Sequence, residues 1–82
     1  MVTQPLNLAD IHIGESGKVL GFQASNRIYR HKLLVMGLTP GTEFTVTRIA
    51  PLGDPIVLLV RGYALSLRKT EAKVLLVSRI SS

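Results

Sequence analysis

Hydrophobic and polar positions change period several times along the chain, and each change of period or break marks an element. Lys18-Val19-Leu20-Gly21-Phe22 is a short apolar run with β-branched and aromatic content, which predicts a first strand over 18–22. Gly21 within it allows a bend or bulge. From Arg27 the spacing becomes helical: Tyr29, Leu33 and Met36 form one apolar stripe with Leu34 beside it, while Arg27, Arg30, His31 and Lys32 cover much of the remainder. Ser25 or Asn26 supplies the side-chain oxygen for an N-cap, and Gly37 the left-handed residue that ends the helix after about Met36. Leu38 sits where a closing apolar contact is expected.

Thr39-Pro40-Gly41-Thr42 places proline and glycine at the two centres of a type II turn. Phe44, Val46 and Ile49 then predict a strand whose buried face switches near Arg48, the signature of a bulge. Pro51-Leu52-Gly53-Asp54-Pro55 is a loop, because proline cannot donate to a strand ladder. Asp54, between Gly53 and Pro55, is placed to bond its own backbone and hold the turn. Ile56 to Val60, the tight turn Arg61-Gly62, and the alternation of Tyr63, Leu65 and Leu67 with Ala64, Ser66 and Arg68 make a hairpin. Thr70 to Lys73 reads as one helical turn capped by Thr70, and Val74 to Val77 as a closing strand.

Upstream, Leu6, Leu8, Ile11 and Ile13 only partly alternate, and Gly14 and Gly17 interrupt them. Residues 1–17 therefore read as an extended lead-in to a barrel over 18–80, within a single domain over 1–82. Short strands, glycine-rich turns and one inserted helix in a chain this small predict a mainly β fold, a small partly open barrel.

Length and composition narrow the chemistry. Apolar residues make up 46% of the 82 and charged residues 18%, which favours a packed core over disorder. Cysteine is absent, excluding disulfides, thiolate zinc sites, iron–sulfur clusters and thiol nucleophiles and fitting a cytosolic location. The opening Met1-Val2-Thr3-Gln4-Pro5 lacks the basic and apolar regions of a secretion signal. Ile56 to Val60, the longest uninterrupted apolar run, is too short to cross a bilayer, so no direct membrane insertion is expected. Ten Lys and Arg against five Asp and Glu leave a charge of +5, but the cations are scattered from Lys18 to Arg79 and read chiefly as a solvated basic surface.

No catalytic constellation stands out. His12 and His31, the only imidazoles, lie in different elements and carry no metal motif with any carboxylate, so no metal site and no cofactor is expected. The carboxylates Asp10, Glu15, Glu43, Asp54 and Glu71 are dispersed, and neither a nucleophile elbow nor a phosphate-binding loop occurs. The chain is not expected to be an enzyme. A small basic nucleic-acid-binding β-barrel remains the alternative of a different class. Stacking of bases needs exposed aromatics, however, and of Phe22, Tyr29, Phe44 and Tyr63 the last three have core-type phases, so nucleic acid is not the expected partner.

The stretch from Lys32 to Thr42, with Leu33-Leu34-Val35-Met36-Gly37-Leu38-Thr39-Pro40-Gly41 at its heart, is followed by Val46 and by Ala50-Pro51-Leu52-Gly53-Asp54-Pro55-Ile56. That ordered combination resembles the central signature of the FeoA family, and the likeness continues through Leu65 to Lys69 and Glu71-Ala72. It covers most of the chain from about Lys18 onward. The resemblance implies an SH3-like barrel, a cytosolic location, and a role as accessory to FeoB, the membrane ferrous iron transporter with a GTPase domain. A similar barrel occurs as the C-terminal domain of metal-dependent repressors, but this chain has no room for their DNA-binding and dimerisation regions. Loops on a rigid barrel and exposed helix faces commonly carry binding, so the partner-binding candidates are Leu52, Gly53 and Asp54 in the loop and Arg27, Arg30 and Lys32 on the helix. Leu52 at the loop tip is either tucked into the barrel or offered to a partner. An exposed strand edge would also permit self-association.

Overall fold

The strands pair in the order β1-β6-β2-β3-β4-β5, with antiparallel neighbours throughout. They are β1 (Leu6–Asn7), β2 (Ser16–Phe22), β3 (Glu43–Ile49), β4 (Ile56–Val60), β5 (Tyr63–Leu67) and β6 (Leu75–Ile80). Helix α1 (Arg27–Val35) joins β2 to β3, and the single turn α2 (Lys69–Ala72) joins β5 to β6. The computed structural model describes residues 6–24 and 27–80. The expected cap at Ser25 or Asn26 lies outside them.

Two bulges bend the sheet so that it can curl. On β3, Val46 faces Leu58 and Arg48 faces Val57, so Thr47 is the extra residue, and its hydroxyl donates to the Val57 carbonyl at 3.3 Å. The extra residue carries the buried face from Phe44 and Val46 to Ile49, as the pattern predicts. On β2, Val19 faces Val77 and Gly21 faces Leu76, leaving Leu20 as the bulged residue beside the glycine. After Lys18, just before this bulge, β2 leaves β3 and bonds the turn instead: Gly41 donates to the Val19 carbonyl at 2.7 Å and Val19 to the Thr42 carbonyl at 2.8 Å.

Turn chemistry sets the connections. Gly37 adopts φ 95° and ends α1, while Leu38 donates back to the Leu33 carbonyl at 3.0 Å and is fully buried. Gly41 at φ 92° and the Thr42 to Thr39 bond of 3.0 Å form the Pro40-Gly41 turn. Arg61 and Gly62 both take positive φ, 51° and 85°, the mirror-image turn that suits the twist of the β4–β5 hairpin.

Leu33, Leu38, Phe44, Val46, Leu58, Leu67 and Val77 fill the core from both helix and sheet. The structure corrects the sequence-based reading at several points. Of the predicted lead-in, residues 6–17 are integral to the fold: Leu6–Asn7 pairs with β6, and a 3-10 turn over Leu8–Asp10 accompanies complete burial of Leu8 and Ile11. Asn7 caps that turn by accepting from Ala9 N–H at 2.9 Å, while Asp10 accepts from Asn7 N–H at 3.0 Å. Thr70 does not cap α2. The N-cap is Arg68, whose backbone N–H is taken by the Glu71 carboxylate at 2.8 Å. Tyr63 is 43% exposed rather than core, because β5 is the edge of the sheet; its hydroxyl reaches the Met36 carbonyl at 3.3 Å. The closing strand runs on to Ile80, three residues beyond the predicted Val77.

Candidate partner-binding surface

Helix α1 presents three differently used faces. Tyr29, Leu33 and Met36 pack on the core, as their spacing requires. Arg27, Arg30, His31 and Leu34 recur at i, i+3, i+4 and i+7, and so share a second flank. Ile28 and Val35, one heptad apart, point away from the core and are 79% and 73% exposed.

The second flank forms the wall of a groove. Its opposite side is the end of β2 and the two residues after it, Gly21 to Ala24, and Pro40 also lines the space, which measures about 450 Å³. Arg27, Arg30, His31 and Leu34 line an adjoining hollow of about 330 Å³. The floor includes Phe22, and the Arg30 guanidinium carbon lies 6.0 Å from the centre of that ring, at the outer limit of a cation–π contact. Among the described residues no carboxylate lines this groove or pairs with Arg27 or Arg30.

Lys32 belongs elsewhere. At about 100° per residue it lies about 140° from Arg27 and about 160° from Arg30 around the helix axis, on the opposite flank. Its ammonium pairs with the Glu71 carboxylate of α2, which is 3% exposed. Burial pushes the Glu71 carboxyl up, but the Lys32 ammonium and the Arg68 N–H outweigh it and hold it below the usual glutamate range. Lys32 is thus a structural cation tying α1 to α2, and the three basic candidates do not form one patch.

The 51–55 loop is a third place. Gly53 donates to the Ala50 carbonyl at 2.7 Å and Ala50 to the Pro55 carbonyl at 3.1 Å, so backbone bonds close it. The expected bond from Asp54 to its own backbone is not made, and its carboxylate faces solvent. Leu52 is 91% exposed, so it is not tucked into the barrel. Gly53 faces the ammonium of Lys69 on α2, and no loop residue lines the α1 groove.

A third charged cluster joins the N-terminal segment to β6. Glu15 accepts from the His12 N–H at 2.8 Å and meets its Nδ1 at 3.2 Å, while Arg79 Nε approaches the other carboxylate oxygen at 3.3 Å. These contacts, led by the His12 N–H, lower the Glu15 carboxyl from its ordinary value. Among the described residues no group of three or more His, Asp or Glu side chains could hold a metal ion.

Comparison with known proteins settles the family. The model of the FeoA domain matches residues 6–79. The chain belongs to the FeoA family. A FeoA-like protein from Clostridium acetobutylicum, solved by NMR, is 41% identical and superimposes with a TM-score of 0.87, covering 99% of this chain and 93% of that one. The FeoA of Stenotrophomonas maltophilia, solved in complex with zinc, is 25% identical with a TM-score of 0.76 over 89% of each chain. It is described as a procaryotic SH3 domain protein and a candidate activating factor for bacterial ferrous iron transport. The Fe(2+) transport protein A/Fe(2+) transporter FeoB fusion protein of Porphyromonas gingivalis is 31% identical over 77 residues. The match takes in 94% of this chain but 9% of that protein, so the chain spans less than a tenth of its curated relative.

The FeoA family is linked to ferrous iron transport, and the mainly β, SH3-like architecture expected from the sequence is the one observed. No helix among the described residues is long and apolar enough to cross a membrane. Sequence reasoning grouped Arg27 and Arg30 with Lys32 and missed Phe22, Gln23 and Pro40 as lining of the groove. The i, i+3, i+4, i+7 spacing of Arg27, Arg30, His31 and Leu34 was the available signal for separating Lys32. Nothing in the sequence signals that β2 would stand across from that flank.

Proposed function

We propose that the chain is a non-enzymatic accessory protein of bacterial ferrous iron uptake, acting as a single module that binds FeoB on its cytosolic side and modulates transport or its GTPase. The observation that carries this reading is the Porphyromonas gingivalis relative, in which a FeoA sequence and FeoB share one polypeptide. Fusion keeps two proteins at high effective concentration, which favours components that work in contact. The loop 51–55 supports it too: an apolar side chain held almost wholly in solvent on a backbone-closed loop is a suitable anchor for a partner surface.

A nucleic-acid ligand is the weaker reading. Its support is the net charge of +5, but the α1 groove offers a single aromatic, Phe22, which is half-buried with Arg30 over its ring.

The experiment is capture of FeoB from detergent-solubilised bacterial membranes with this protein as bait, with and without guanine nucleotide. Native bait is expected to retain FeoB, and a folded Leu52→Asp variant to retain less. Failure of native bait under every nucleotide and salt condition would sink direct, stable FeoB binding while leaving the family assignment intact.

A further inference from the structure

We propose that the groove between the end of β2 and α1 is a docking site for an acidic linear segment of a protein partner, with carboxylates flanking one apolar side chain. The inference rests on the reading of the chain as a protein-binding module and names the chemistry that one of its surfaces recognises.

Three features of the groove point to that occupant. Its wall carries Arg27 and Arg30, whose guanidinium forks match carboxylates in geometry as well as charge. Among the described residues no carboxylate lines it, whereas elsewhere Lys32 is paired with Glu71 and Arg79 with Glu15. Both arginines are exposed, so their guanidinium groups are open to carboxylates of another molecule. Part of the groove's lining is apolar: Phe22, Leu34 and Pro40 offer contact to a side chain placed beside the two arginines. The Arg30 guanidinium carbon, 6.0 Å from the centre of the Phe22 ring, places a cation beside that apolar surface. The volume of about 450 Å³ lies within the range of small recognition sites. A strand of nucleic acid would use the arginines but would find one partly covered ring on which to stack, so the peptide is favoured.

The test is an NMR titration of the ¹⁵N-labelled protein with a short peptide in which a leucine is flanked on both sides by glutamates. Parallel titrations use the same peptide with lysine in place of glutamate, a single-stranded oligonucleotide, and inorganic phosphate. Amide shifts are expected to cluster at 21–24 and 27–34 with the acidic peptide, and affinity is expected to fall about tenfold in Arg27→Gln/Arg30→Gln. Lys18→Gln, an exposed cation on β2, should leave it unchanged. Charge exchange supplies the decisive arm: Arg27→Glu/Arg30→Glu should lose the acidic peptide and gain the lysine peptide, which a merely structural role of the arginines would not produce. Shifts elsewhere on the protein, equal binding by the glutamine variant, or tighter binding of oligonucleotide or phosphate than of the acidic peptide would overturn the proposal. FeoB capture separates the two readings. If the glutamine variant retains FeoB and the peptide does not bind, the groove proposal falls alone; if the peptide binds but FeoB is never captured, the FeoB reading falls alone.

Discussion

Lys32, on the flank of α1 that faces away from Arg27 and Arg30, forms an ion pair with the buried carboxylate of Glu71 in α2. The pair joins the two helical connections of the fold. It is asymmetric, since the lysine is 54% exposed and the glutamate 3%. Removing Lys32 leaves a buried carboxylate with the N–H and the more distant charge of Arg68, whereas removing the charge of Glu71 leaves an ammonium that can turn to water. Lys32→Met is therefore expected to cost about 2 kcal/mol and Glu71→Gln about half as much. Urea unfolding of the two variants against the parent checks the order.

The same pair gives the chain an acid limb. A carboxyl whose value is lowered on folding contributes stability above its unfolded value, about 4.3 for glutamate, and loses it as pH falls through the lowered value. The stability difference between the parent and Glu71→Gln should thus be full at neutral pH and shrink steadily below about pH 4. Thermal melts at a series of pH values measure it. A gap that stays constant down to pH 2 would mean that the ionised pair contributes nothing.

Gly17 on β2 lies where a side chain has no room. A Cβ there would sit 2.6 Å from the Phe44 ring and 2.9 Å from the Ser78 carbonyl oxygen, between the two strands that flank β2. The ring is core and the carbonyl is backbone, so neither gives way cheaply. Gly17→Ala is expected to destabilise by about 1–3 kcal/mol, a fall in Tm of roughly 5–20 °C for a domain of this size.

Arg61 is the one non-glycine residue among those described with positive φ. Its guanidinium makes only a long contact, 3.4 Å, to the Thr42 hydroxyl. Asparagine tolerates the left-handed region better and is favoured before glycine in this turn. Arg61→Asn should raise stability by about 0.5–1 kcal/mol, read as a higher urea midpoint with an unchanged slope. A lower midpoint would show that the Thr42 contact outweighs the backbone strain.

What the sequence by itself determined was the local grammar of the fold. Gly37, Pro40-Gly41 and Arg61-Gly62 each demand a particular backbone conformation from adjacent residues, and the step from Val46 to Ile49 announces a bulge within its own strand. The strands and the helix follow from those punctuation marks together with period 2 or 3.6 between them. The FeoA signature is made largely of the same residues, which is why the family was legible before the sheet was.

Tertiary structure decided the rest, because it turns on which surfaces meet across long stretches of chain. Tyr63 has the phase of a core residue, but its exposure depends on β5 being an edge. Leu8 and Ile11 are buried because the N-terminal segment pairs with β6, a contact that no local pattern encodes. Arg27, Arg30 and Lys32 look alike in sequence. Packing gives Lys32 the Glu71 carboxylate and sets the end of β2 opposite the two arginines, so one cation becomes part of the scaffold and the other two are left to line a groove.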